Sequence, residues 1–285
     1  MRPLPSLHEM AGFLAERHPL PEGFLPLVNL DPSDPDAPTA LRAILSTTKQ
    51  ARLRLRQVNR TLGNPEGIGV DTGAGLQHYG YRRVHSAGLI AILVSGLDHG
   101  TNVLDSVQFW RRQICVAFGT ALLIPDDAPE NPYSAATGLL HEIGFLLLDI
   151  ERSDLTALLP TVGRRRGGLD ADAERAVLGY ALHELTAVIL GRWGLPAPIV
   201  TAVLERERGP LERGRLGAAL WIAVEGANTL GFGGAFYPQR RDLDPRLARA
   251  IERFYGSTGE VARRVDGVLA GVLLDDGPVG PGSAA

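Results

Sequence analysis

Cysteine is almost missing from this chain: Cys115 is the single one in 285 residues. One thiol cannot close an internal disulfide, which excludes disulfide-stapled secreted scaffolds and paired-cysteine zinc modules. An excess of one charge is also missing. The 29 Lys and Arg residues against 32 Asp and Glu residues leave a net charge of −3, so no global field favours nucleic acid or an anionic membrane. Long apolar runs are absent: the longest nearly apolar stretch, Ala87 to Leu97, is too short to cross a bilayer. Met1-Arg2-Pro3 leads into Ser6-Leu7-His8-Glu9 rather than an apolar segment, so no signal peptide is expected. There is no glycine-rich phosphate loop followed by Lys-Ser or Lys-Thr, and no nucleophile elbow. These absences leave a soluble cytoplasmic protein, of one large domain or two smaller ones, as the expectation.

Hydrophobic residues make up 45% of the chain, enough for a sizeable core. Their spacing is helical almost throughout, and no segment gives a convincing run of strands. Met10, Phe13 and Leu14 set the first helical face, and Pro19 and Pro21 stop it. Asp31 to Asp36 is a turn-rich connection; Ala40 to Leu62 carries two short helical patterns; Gly63 to Gly75 is a loop. Leu76 to Leu97 is predicted to be a helix bent near Gly80, and Val103 to Leu123 a long amphipathic helix. Pro125 to Pro132 reads as a loop. Tyr133 to Ile150 is apolar enough to be one central buried helix.

Ser153 opens a short helix ending at Pro160. Arg164-Arg165-Arg166-Gly167-Gly168 reads as a solvated basic loop, since no aromatic residues are interleaved with the arginines. Asp170 is the predicted N-cap of a helix running to Trp193, with Gly194 as its stop and Pro196 opening the next. Leu216 to Leu230 is a further apolar helix. Asp244-Pro245 and the pair Ser257 and Glu260 signal later helix starts.

Five local motifs, in order, resemble those of the HDOD domain, a helical output module related to HD phosphohydrolases and found in bacterial signalling proteins. They are Gln57-Val58-Asn59, Leu76 to Val84, Phe109-Trp110-Arg111-Arg112, Gly138-Leu139-Leu140-His141-Glu142-Ile143-Gly144, and Gly191 to Pro196 with Ile199-Val200. The resemblance implies an all-α fold, an HD/HDOD-like bundle of roughly ten or more helices. It runs from about residue 24 to about residue 230. Residues 1–230 then form the HDOD-like domain, 231–276 a C-terminal helical extension, and 277–285 a small-residue tail without order.

In the catalytic relatives, the resemblance implies His and Asp side chains from several helices that hold divalent metals and activate water. Carried over to this chain, the pattern gives a degenerate pocket of Arg112, His141, Glu142, His183, Trp221 and Val224. Arg112 stands where the first His is expected, and a guanidinium has no lone pair for a metal. Val224 stands where the last carboxylate is expected; Glu225 lies about 100° around the helix and is expected to point elsewhere. His183 and Leu182 compete for one further position.

The residues also have plainer readings. His141 reads as a buried histidine bonded to a neighbour. Glu142 is predicted to pair with Arg112. Cys115 and the three tryptophans Trp110, Trp193 and Trp221 read as core. His78, His85 and His99 read as surface or loop residues. Arg52, Arg56 and Arg60 form a basic stripe that a solvated helix face explains equally well.

The leading expectation is therefore a non-catalytic signal-transduction module with no metal and no cofactor, which binds a protein partner or a small nucleotide-like ligand. Nucleic acid and membrane are not expected as partners, and homodimerisation stays open. The alternative is a divergent metal-dependent phosphohydrolase acting on a nucleotide or cyclic dinucleotide. It would use His141 and Glu142 with His183 and either Asp105 or Glu225.

Overall fold

The computed structural model describes residues 4–47, 76, 80–97, 100–166, 170–208 and 212–232, together with residues 249, 265, 266 and 268. Every regular element among them is helical. The motif Gln57-Val58-Asn59, the arginine stripe, the loop 63–75, His78, His99, the start signals at 244 and 257 and the tail 277–285 lie outside the described residues.

Local sequence explains where the helices begin. α1 (Leu7–Arg17) has a reciprocal cap: Ser6 Oγ accepts the Glu9 N–H, and the Ser6 N–H donates to Glu9 Oε2 at 2.8 Å. Met10, Ala11 and Leu14 form its buried face. Phe13, expected beside them, is 47% exposed, so the inner stripe is turned one position from the sequence reading. α2 (Phe24–Val28) and α3 (Ala37–Thr47) follow, then α4 (Tyr81–Leu97), which begins after Gly80 at φ +78°. α4 is buried along most of its length. His85 is buried within it, contrary to the surface position expected, and its Nε2 bonds the Leu27 carbonyl at 2.8 Å.

α5 (Ser106–Leu123) is capped by Asp105, whose carboxylate accepts the Gln108 N–H. The predicted central helix is two: α6 (Ser134–Leu140) and α7 (Ile143–Glu151), with the break at His141 and Glu142. α8 (Ser153–Thr156) and α9 (Leu159–Arg166) come next. Pro160 lies in the first turn of α9, where a missing N–H costs nothing, so the chain coils on through Arg164–Arg166 instead of looping there. The single helix expected from 170 to 193 is also two. α10 (Ala171–Leu178) is capped by Asp170 and closed by Gly179 at φ +85°; α11 (Leu182–Arg192) follows. A glycine in left-handed conformation ends a helix more firmly than apolar periodicity continues one. α12 (Ala197–Leu204), a 3₁₀ turn (Glu205–Glu207) and α13 (Arg215–Thr229) complete the described bundle.

α6 and α7 lie at the centre. α5 packs on α6 and α13, α11 packs on α1, α7 and α12, and α12 packs on α13. Close approach is built into the motif. A Cβ on Gly138 would stand 2.5 Å from Ala117 Cα, and one on Gly144 would stand 3.0 Å from the Thr186 nitrogen. Asp149, at the end of α7, accepts the N–H groups of Asn102, Val103 and Leu104 and the Thr156 hydroxyl. This buried carboxylate ties the loop before α5 to the central pair. Further along the chain, Val265 and Val268 are buried in the main core, and Arg111 of α5 binds Asp266 and lies over the Phe232 ring.

Candidate functional site

The break between α6 and α7 decides the site. Glu142 leaves helical geometry, at φ −125° and ψ +18°. Its side chain is thereby sent into the bundle between α5, α13 and the turn Glu205–Glu207. There it meets Arg112: Nε donates to Oε2 at 2.9 Å and Nη2 to Oε1 at 3.4 Å. The pair is bidentate and both residues are 2% exposed. Arg112 Nη1 reaches on to Asn228 Oδ1 at 2.6 Å, and Gln113 Nε2 donates to Glu142 Oε2 at 3.3 Å. A second guanidinium arrives from the other side, with Arg206 Nη1 standing 3.0 Å from Glu142 Oε1. One buried carboxylate thus sits between two arginines and an amide.

His141 stands beside the same carboxylate. Its Nδ1 lies 2.7 Å from the Gly138 carbonyl. A carbonyl only accepts, so Nδ1 carries the proton and Nε2 carries a lone pair. That Nε2 is buried, 3.5 Å from Glu142 Oε1, and has no hydrogen-bond partner among the described residues. Burial pushes the His141 pKa down, and the ring is neutral. Burial would push the Glu142 carboxyl up, but the Arg112 guanidinium first, then His141 and Arg206, overcome it and hold the group well below the usual carboxylate range.

The remaining expected residues are placed around this centre. His183 is buried near the start of α11, and burial, followed by the charge of Arg206, lowers its pKa. The neighbouring Leu182 side chain is core; its N–H donates to Glu174 Oε2 at 2.7 Å. Val224 is core. Trp221 is not: it is half-buried, and the Arg213 guanidinium lies over its ring at 5.0 Å. Glu225 is buried, and its charge acts on Arg213. Asp105 is spent as the cap of α5. Cys115 is buried, and desolvation pushes its thiol up to about 12. Among the described residues, no three His, Cys, Asp or Glu side chains are grouped as metal ligands.

Four participants escaped the sequence reading: Gln113, Glu174, Arg206 and Asn228. Asn228 was findable. It lies four residues after Val224 and seven after Trp221, on the same helical face. Arg206 was not, because Glu205-Arg206-Glu207-Arg208 has the look of a solvated charge run. Glu174 is 5% exposed, and burial pushes its carboxyl up to about 7 despite the opposing charge of Arg206.

Residues 74–208 match the HDOD domain family. Among solved structures, a candidate phosphohydrolase from Shewanella amazonensis is similar over 92% of this chain and 96% of its own, at 19% identity and a TM-score of 0.65. An HDOD domain protein of unknown function from Geobacter sulfurreducens is similar over 92% of this chain and 84% of its own, at 17% identity and a TM-score of 0.62. A candidate signal transduction protein from Marinobacter aquaeolei is similar over 93% of this chain, at 17% identity and a TM-score of 0.67; this chain spans 64% of it. At such identities the likeness concerns the fold. No curated protein matches the chain.

Proposed function

From the premise that the chain carries an HDOD domain over residues 74–208, we propose that it is a non-catalytic regulatory module. It binds a protein partner or a small nucleotide-like ligand and passes on a conformational state. The observation that carries this reading is the buried cage of Glu142. Both of its oxygens lie within hydrogen-bond distance of guanidiniums, Oε2 of Arg112 and Oε1 of Arg206. A divalent ion at this carboxylate would meet two fixed positive charges at close range and would gain no donor from Arg112 or Val224. Without the ion, no water is activated for attack on phosphate. The donor set therefore does not fit the metal chemistry of the HD phosphohydrolases.

One observation favours the other reading, a divergent phosphohydrolase: the His141 Nε2 lone pair is buried and unpartnered among the described residues, 3.5 Å from a carboxylate oxygen. Hydrolysis assays separate the two. Purified protein supplied with Mn²⁺ or Mg²⁺ is expected to hydrolyse nucleotides and cyclic dinucleotides at background rate. An activity that persists through further purification and is lost in His141→Ala would overturn the regulatory reading. As for location, no helix among the described residues is long and apolar enough to cross a membrane, and a cytoplasmic protein is the reading consistent with the single buried cysteine.

A further inference from the structure

We propose that α5 carries a docking site for a helix of a partner protein, and that residues 265–268 of this chain fill it as an internal stand-in. The partner helix presents two apolar side chains three residues apart with a carboxylate between them, the pattern of Val265-Asp266-Gly267-Val268. This rests on reading the chain as a module that binds a protein partner, and it names the chemistry of that partner.

The receptor on α5 is Arg111. Its Nη2 donates to Asp266 Oδ2 at 3.0 Å, and its Nε stands 2.7 Å from Oδ1. Two-pronged contact of this kind matches a guanidinium to a carboxylate. Groups other than Asp266 also place the guanidinium. Nη1 donates to Gln108 Oε1 at 3.4 Å, and Cζ lies 5.5 Å from the centroid of the Phe232 ring. Gln108 belongs to α5 and Phe232 follows α13, so the receptor keeps its aim when Asp266 leaves. A receptor placed in advance loses little freedom when a new carboxylate arrives.

Around the ion pair the contact is apolar. Val265 and Val268 are helical and three residues apart, hence on one face, and both are buried in the main core. The charges lie at the rim, with the Arg111 side chain 25% and the Asp266 side chain 50% exposed. Apolar anchors on one helix face with a charge at the edge are the layout of a helix laid in a groove. The apolar surface continues past the stand-in. Val107, one turn before Arg111 on α5, is 47% exposed, and a partner helix can cover it as well. The stand-in keeps its place by belonging to the same chain. Attachment raises its effective concentration, so a modest contact stays closed until a partner with more contacts arrives. The rim ion pair itself is weak and screened by salt, which makes this fastening easy to open.

The test is fluorescence anisotropy of a labelled synthetic peptide with the sequence of residues 259–274, titrated with the 285-residue chain. Wild type, its site filled, is expected to bind the peptide weakly. Asp266→Arg drives its own stand-in away from Arg111 and is expected to bind the peptide about tenfold more tightly or better. Adding Arg111→Glu to the same chain is expected to abolish that gain, because it restores the internal pair with charges exchanged and repels the peptide. Equal binding by wild type and Asp266→Arg, or a gain that survives Arg111→Glu, would overturn the proposal. So would a wild-type dimer in light scattering that Arg111→Glu dissolves, since the occupant would then be a second copy of this chain. Should Asp266→Arg not fold, amide exchange decides. Arg111→Ala is expected to speed exchange at Val265 and Val268 by about tenfold or more with α4 unchanged, and equal exchange sinks the docking. A failed docking site leaves the metal-free cage standing, because metal content and hydrolysis are measured separately.

Discussion

The proposal of a metal-free centre comes down to Arg112 and Glu142 at the scale of single residues. A metal ligand must offer a lone pair, and a guanidinium offers only donors. The structure brings the two residues together in bidentate contact, and Arg206 adds a second positive charge. The consequence for stability is asymmetric. Glu142→Gln strands two guanidiniums, whereas Arg112→Met leaves Glu142 with Arg206. Removing one member of a buried pair costs about 3–5 kcal/mol, so Glu142→Gln is expected at the top of that range and Arg112→Met below it. Chemical denaturation of both single variants and of the double variant checks this. The double variant is expected to recover at least ~1 kcal/mol relative to the sum, and additive costs would show the pair to be energetically uncoupled. The sequence made Arg112 and Glu142 legible because each sits in a motif with fixed spacing. Arg206 and Glu174 have no such frame: their importance comes from burial, and burial of a charged residue in a polar run leaves no mark on periodicity.

At the scale of elements, apolar pattern located the helices well but joined what the chain breaks. The pattern from Tyr133 to Ile150 is continuous, yet the backbone turns at His141 and Glu142, because their polar side chains must leave the apolar stripe to reach partners. The same holds at Gly179, where a left-handed glycine outweighs the hydrophobic run on either side. Glycines in helices differ just as sharply. A methyl on Gly138 would meet the α5 backbone, so Gly138→Ala forces α5 and α6 apart at a cost of about 1–3 kcal/mol or more. Gly191 in α11 faces open space and has ordinary backbone angles, so Gly191→Ala is expected to stabilise by about 0.4–1 kcal/mol. Thermal melts of the two variants should move in opposite directions. A neutral Gly138→Ala would mean that the α5–α6 approach is looser than the backbone shows.

The whole molecule balances buried groups whose protons pull stability in opposite directions with pH. Glu174 is raised from its ordinary value of 4.5 to about 7. Its native state therefore holds the proton more tightly than the unfolded chain, and its contribution is full below 4.5 and lost as pH rises through about 7. His85, His141 and His183 are lowered from 6.5, so the contribution of each is present above 6.5 and lost as pH falls through the lowered value. The two effects confine maximal stability to mildly acidic or neutral pH. Glu174→Gln removes the alkaline side: its stability relative to wild type is expected to improve from pH 5 to pH 8, by at most roughly 3 kcal/mol. A difference that stays constant across that range would place the Glu174 carboxyl in water. The all-α architecture was legible because helical periodicity and family motifs agree over most of the bundle. The electrostatic centre was only half legible, since it joins residues up to 116 positions apart, such as Arg112 and Asn228.

The central proposal, that guanidiniums stand where a divalent ion would be needed, is tested most directly by elemental analysis of the protein purified without chelator. The expected result is no Mn, Fe, Zn or Mg near one equivalent per chain. About one or more tightly bound ions per chain, lost in His141→Ala, would contradict it, and would give His141 Nε2 the role of a ligand.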